Sequence, residues 1–301
     1  MNKLTIALDW TPNINHIGFF MAKEKGYYKD LNLEVNIIDP SMDNYQLTPA
    51  KKVELGIADF ALCPTESVIS YRTKSTPFKL IGIACLLKTD LSAIVVLSES
   101  DINRPKDLDG RIYSSYKARY EDGIIKELIK NDEGNGNIKI IYPNKLGIWN
   151  TIVSGEADAT WIFQNWEGVE AEASSHSFQY FRLRDYNIPY SYSPLIAANE
   201  QMIKPHKEKY RAFLAATKRG YLYSKTQPKE STDLLHQLVP ATDQNINLLK
   251  ALEVSAPHFG NEKTWGKMDE STVQNFLDWI KEKKLEISDI KVSDIISNTC
   301  L

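Results

Sequence analysis

Asp9, Trp10, Asn13 and His16 fall in one short stretch, Leu8-Asp9-Trp10-Thr11-Pro12-Asn13-Ile14-Asn15-His16, directly after the apolar alternation Leu4, Ile6, Leu8. A strand ending there would release an aromatic face, a carboxylate and amides together. Pro12 cannot continue a central strand, and Asn13 and Asn15 suit turns, so the segment reads as a loop leading into a helix over about 16–25. Three further clusters have a similar make-up: Cys63/Thr65/Glu66, Ser114/Ser115/Tyr116 and Trp161/Gln164/Trp166/Glu167, with Tyr190 and Tyr192 further along. Each follows a strand candidate, at the carboxyl edge where open α/β sheets bind ligands. Aromatic faces with carboxylates and amides suit a planar, hydrogen-bonding heterocycle better than a sugar or a simple anion. Glu66 and Glu167 are the candidates for a charge-assisted pair with an amino-substituted ring.

Each of these groups has a plainer reading. Trp10 is either a stacking platform or a core plug. A lone histidine at an apolar helix start, such as His16, is more often a satisfied structural residue than a base. Glu66 and Glu167 could be solvated helix ends, and Lys117 and Arg119 solvated surface. His176, His206, His236 and His258 have no partner spacing, and no Glu-x-x-His or paired Cys/His motif occurs, so no metal is expected. No nucleophile elbow, Walker loop or dinucleotide fingerprint occurs either, and no cofactor is expected.

The elements that must position these groups alternate. Strand candidates are 3–8, 33–38, 60–62, 79–84, 93–97, 111–113, 138–141, 159–162, 179–182 and 195–198, with amphipathic helices between them, such as 120–130 with Glu121, Lys126 and Lys130 on a solvated face. That alternation predicts parallel βαβ units. From about Lys207 the chain reads as helices only: 207–224, 228–239, 244–257 and 269–284. One internal echo stands out. Gly56-Ile57-Ala58-Asp59 and Gly155-Glu156-Ala157-Asp158 share a Gly-x-Ala-Asp core, where glycine ends a helix in a left-handed cap and Ala-Asp opens the next strand. Two copies at this separation predict two similar α/β lobes.

At 301 residues the chain fits two lobes of ordinary size. With 43% hydrophobic and 25% charged residues it has a globular composition, and a net charge of −3 gives no nucleic-acid footprint. No apolar run is long enough for membrane insertion. Three cysteines, Cys63, Cys85 and Cys300, form no disulfide framework and lean towards a reducing compartment. Met1-Asn2-Lys3 leads straight into strand-like alternation. The sequence as it stands therefore reads as cytoplasmic, or as periplasmic or cell-surface if a signal peptide has been removed.

Leu-Asp-Trp-Thr-Pro-Asn at 8–13, His16 and Lys25-Gly26-Tyr27-Tyr28 resemble the opening of the thiamine-pyrimidine-binding branch of the type II periplasmic-binding-protein superfamily. The likeness continues through 56–60, 155–159, Trp166-Glu167-Gly168-Val169-Glu170 and Ile188-Pro189-Tyr190-Ser191-Tyr192-Ser193-Pro194. The resemblance implies an α/β, two-lobed type II fold with two hinge crossovers and a helical C-terminal tail. The crossovers would lie near 88–92 and 190–195, giving one lobe of 1–90 plus 195–301 and another of 91–194. It also implies a solute-binding protein that closes over a formylaminopyrimidine or hydroxymethylpyrimidine in the cleft, with an ABC permease as a candidate partner. Asp9, Trp10, Asn13, His16, Cys63, Glu66, Ser114, Ser115, Tyr116, Trp161, Gln164, Trp166, Glu167, Tyr190 and Tyr192 would line it. In this family the 114–119 loop offers hydroxyls and backbone amides to the polar end of the ligand.

The eukaryotic thiamine-pyrimidine synthases share the fold and consume an active-site histidine beside a lysine that binds pyridoxal phosphate. Aligned on Asp59, the lysine position falls at Cys63 and the histidine position at Ser67. Their cysteine-rich loop would fall at 189–194, where this chain has no cysteine. An imine needs an amine. The enzyme remains the alternative to the binding protein, and the missing groups weigh against it.

Overall fold

The structure, a computed structural model, describes residues 1–143 and 148–301. The chain divides into two compact units, one of residues 1–90, 191–274 and 288–301, the other of residues 91–190 and 275–287.

Each unit is built on a five-stranded sheet. The strands in chain order are β1 (Asn2–Ala7), β2 (Leu33–Ile38), β3 (Phe60–Cys63), β4 (Leu80–Cys85), β5 (Ser92–Leu97), β6 (Ile112–Ser114), β7 (Lys139–Ile141), β8 (Ala159–Phe163), β9 (Phe178–Phe181) and β10 (Leu195–Asn199). The first unit orders them β2-β1-β3-β10-β4 and the second β7-β6-β8-β5-β9. The two orders are equivalent, position for position. β1 runs parallel to β2 and β3, as β6 does to β7 and β8. The sequence predicted parallel sheets of βαβ units, and one strand in each sheet departs from that. β10 is antiparallel to β3 and β4, and β5 to β8 and β9. The reason is connectivity: each of these strands begins a passage into its sheet without a preceding crossover helix, the device that returns a chain in the parallel sense.

The duplicated turn has one physical explanation in both copies. Gly56 and Gly155 take φ of 70° and 73°, a left-handed cap that favours glycine. The Asp59 amide then donates to the Thr5 carbonyl (2.9 Å), and Asp59 Oδ2 accepts from the Thr5 amide (2.8 Å). Asp158 repeats both bonds with Ile112, each at 2.8 Å. Each aspartate thus clamps the strand it opens to the neighbouring parallel strand.

The long tail helix Lys207–Thr226 packs on helix Ile17–Glu24 in the first unit. Glycines let the two backbones meet: a Cβ on Gly220 would stand 1.9 Å from the Gly18 carbonyl oxygen. Phe213 stacks on Phe60 with ring centres 4.2 Å apart and on Tyr28 at 5.7 Å. Such pairs contribute roughly 0.5–1.5 kcal/mol beyond the area they bury.

The tail does not stay with one unit, as its strandless pattern had suggested. Besides the passages at 90/91 and 190/191, residues 275–287 belong to the second unit. Aromatic and ionic contacts explain this. Phe276 meets Tyr120 and Tyr190 edge-on at 6.5 and 5.5 Å, and Leu285 lies against Gly123. Buried Glu286 accepts from Arg119 Nη2 (2.5 Å) and the Tyr120 hydroxyl (2.6 Å).

Candidate functional site

In both units the strand order reverses between the first strand and its two parallel neighbours, β2-β1-β3 and β7-β6-β8, the switch points at which open α/β sheets place ligands. The ends of β1, β3, β6 and β8 and the loops leaving them carry the residues singled out from the sequence, apart from Tyr190 and Tyr192, which precede β10.

In the first unit the loop after β1 is held from within. Asn13 caps the turn by accepting from the Asn15 amide (2.9 Å), and its side-chain amide donates to the Thr11 carbonyl (3.2 Å). Fully buried His16 accepts from the Asn13 amide at Nδ1 (3.2 Å), so Nε2 carries the proton and donates to Asp9 Oδ1 (2.8 Å). The histidine therefore acts as a strut between the two ends of the loop. The tail reaches it too, because the Tyr221 hydroxyl donates to the Asn15 carbonyl. What this bracing displays is Trp10, 45% exposed, with Tyr45 beside it at 5.7 Å and a 58° tilt. Tyr45 follows the turn after β2 and, like Asn44, sits at positive φ (61° and 53°). For a bulky residue that is a costly backbone, of the kind found where a side chain must be aimed.

At the end of β3, Cys63 is buried, and burial followed by the nearby Asp9 charge pushes its thiol well above the ordinary value. Glu66 is buried in the first turn of helix Thr65–Thr73. Thr65 fixes that helix to the strand connection, donating from its amide (3.0 Å) and hydroxyl (2.9 Å) to the Tyr192 carbonyl. The buried Tyr192 hydroxyl accepts from the Asp269 amide (2.7 Å), so both ends of Tyr192 serve the framework.

In the second unit the loop after β6 contains its own anion. Glu121, 3% exposed at the start of helix Glu121–Asn131, accepts from the Tyr116 amide (3.0 Å), the Ala118 amide (3.1 Å) and the Tyr113 hydroxyl (2.8 Å). Burial raises its carboxyl above the usual range, and these bonds act in the opposite direction. Ser115 Oγ accepts from the Lys117 amide (3.0 Å) and donates to Asp122 (2.8 Å), while the Ser115 amide donates to the Ile141 carbonyl (3.0 Å). The amides of residues 115 to 118 are thus engaged inside the unit. The Ser114 hydroxyl is buried and has no hydrogen-bond partner among the described residues. Of the two cations, Arg119 pairs with Glu286, and Lys117 lies 5.6 Å from the centre of the Tyr142 ring.

Around β8, Trp161 and Trp166 are buried, and Trp161 meets half-buried Tyr190 edge-on at 5.2 Å. Glu167 accepts from the Phe163 amide (2.9 Å), closing the strand-to-helix turn, and Gln164 accepts from Arg182 (2.9 Å). The expected residues thus fall into two sets, Asp9, Trp10, Asn13, His16, Cys63, Glu66 and Tyr192 in the first unit and Ser114 to Tyr116, Trp161, Gln164, Trp166, Glu167 and Tyr190 in the second. Sequence reasoning missed Tyr45, and it placed Glu121 on a solvated helix face where the structure buries it. The signal for Glu121 was present, an acid in the first turn of a helix that follows two serines.

A family profile described as NMT1/THI5 like matches residues 13–231, more than half of the chain. The chain belongs to the NMT1/THI5 like family. Within reach of that family, it is 25% identical over 291 residues to the formylaminopyrimidine-binding protein of Halalkalibacterium halodurans, covering 93% of this chain and 85% of that one. It is 24% identical over 254 residues to a 4-amino-5-hydroxymethyl-2-methylpyrimidine phosphate synthase of Saccharomyces cerevisiae, covering 79% and 72%. A Candida albicans protein of the generic periplasmic binding protein fold superposes with a TM-score of 0.72 at 14% identity, over 99% of this chain and 97% of that one. The fold of this NMT1/THI5 like chain is accordingly the periplasmic-binding-protein fold, as its opening motif implied. No helix among the described residues is long and apolar enough to cross a membrane.

Proposed function

We propose that this protein is a solute-binding protein that captures a thiamine-related aminopyrimidine, of the formylaminopyrimidine or hydroxymethylpyrimidine type, for uptake or salvage. The observation that carries this reading is the exposed Trp10–Tyr45 pair on the braced loops after β1 and β2, with the Asp9 carboxylate one residue away. An exposed ring held by a rigid loop suits the face of a planar heterocycle, and a carboxylate suits its exocyclic amine. The likeness to the Halalkalibacterium formylaminopyrimidine-binding protein over nearly the whole chain supports the same ligand class. A membrane permease is the partner such a carrier would serve.

The competing reading is a synthase, which the Saccharomyces relative brings to mind. It is weakened by chemistry. The position where an imine-forming lysine would stand holds Cys63, whose buried thiol is kept protonated, and the histidine position holds half-buried Ser67. Titration with 4-amino-5-hydroxymethyl-2-methylpyrimidine is expected to quench tryptophan fluorescence saturably and reversibly, with a dissociation constant of about micromolar or tighter, near −8 kcal/mol. Pyridoxal phosphate followed by borohydride should leave no modified lysine peptide by mass spectrometry. A reduced pyridoxyl-lysine, or turnover of the pyrimidine, would transfer the protein to the enzymes.

A further inference from the structure

We infer that Glu121 is a specificity residue that makes the loop after β6 reject phosphorylated compounds, so that the ligand taken by this protein is an unphosphorylated pyrimidine. The inference rests on the reading above for the pyrimidine and on the second unit alone for the exclusion.

A phosphate bound at a helix start needs convergent amides and a positive end. The loop leading into helix Glu121–Asn131 offers such amides at residues 115 to 118, but its own chain uses them. Glu121 takes two amides and a tyrosine hydroxyl, Ser115 Oγ takes the Lys117 amide, and the Ser115 amide is paired across to β7. An incoming phosphate would have to displace a buried carboxylate already bonded in the same way. It would also meet more negative charge. Asp122 accepts from Ser115 and from the Tyr142 hydroxyl. On the other side, Arg119 is spent on Glu286, which leaves Lys117 as the cation of the loop without a carboxylate pair among the described residues. A neutral or amine-bearing group meets none of these objections.

Two measurements separate this inference from the functional reading. In the first, amide resonances of residues 115–118 are followed while inorganic phosphate is added to ¹⁵N-labelled protein. They should not move in the wild type and should shift saturably in Glu121→Ala. Saturable shifts in the wild type, or none in Glu121→Ala, would overturn the exclusion whatever the protein does with pyrimidines. In the second, 4-amino-5-hydroxymethyl-2-methylpyrimidine and its phosphate ester are compared by calorimetry. The alcohol should bind at least about tenfold more tightly, and the isosteric Glu121→Gln, which keeps the loop filled should Glu121→Ala fail to fold, should narrow that ratio. Equal or tighter binding of the ester to the wild type refutes the exclusion. If neither compound binds while phosphate still shifts only Glu121→Ala, the pyrimidine reading fails and the exclusion stands.

Discussion

Trp10 and His16 come from one motif and do opposite things. His16 is fully buried and both ring nitrogens are engaged, so it contributes to the loop and has nothing left to offer a ligand. Trp10 is nearly half exposed, and its recorded ring neighbour is Tyr45. Trp10→Ala should therefore weaken aminopyrimidine binding by about 1–3 kcal/mol, the scale of a lost stacking platform, and leave the melting temperature unchanged. Calorimetry with a thermal melt checks both; a large fall in melting temperature with unchanged affinity would make Trp10 a packing residue. From the sequence the tryptophan alone could not be assigned to surface or core, because a strand end provides either. Tyr45 was not legible at all. Its place depends on two successive left-handed residues, and neither Asn44 nor Tyr45 is a glycine that would have marked the turn.

The ten strands were legible as short alternating or apolar runs bounded by turn residues, and the tail helices Lys207–Thr226, Pro228–His236, Leu248–Ser255 and Glu270–Glu282 by their helical period, while the short Val292–Ile295 was missed. The direction of β5 and β10 was not legible, since strand polarity depends on partners distant in sequence. The Gly-x-Ala-Asp repeat was the most informative element signal, and its clamp makes a prediction. Asp59→Ala and Asp158→Ala each leave a strand amide without its acceptor, so each should lower unfolding free energy by about 1–3 kcal/mol in urea titrations. Effects that differ strongly between the two would break the equivalence of the turns. Another clamp depends on pH. Asp132 accepts from Arg104 Nη2 (2.5 Å) and Nε (2.7 Å) and from the Lys106 amide (3.0 Å), and the Arg104 bonds above all hold its carboxyl below the usual range. A depressed carboxyl stabilises above the unfolded-state value, about 4, and that contribution is lost as pH falls through the folded value. Asp132→Asn should thus be less stable than wild type at pH 7, with the gap closing below about pH 4, as parallel urea titrations would show.

For the molecule as a whole, the two units differ in how their sheets are assembled along the chain. Every strand of the second sheet lies between residues 92 and 181, while the first sheet needs β10 at 195–199 to join β3 to β4. The second unit still depends on the tail, through Phe276, Leu285 and Glu286. A fragment of residues 91–190 should therefore show strand signal in far-ultraviolet circular dichroism but a broad urea transition, sharpened by a peptide of residues 270–287. An equally sharp transition without the peptide would show that the tail adds nothing there. The place of β10 also governs synthesis. Domains usually fold in the order in which they leave the ribosome, yet β4, buried along its whole length in the finished protein, has no strand to pair with until residue 195 has been made. The middle of the nascent chain can close its sheet while the beginning still waits, and in that interval an apolar strand edge is exposed to other chains and to chaperones.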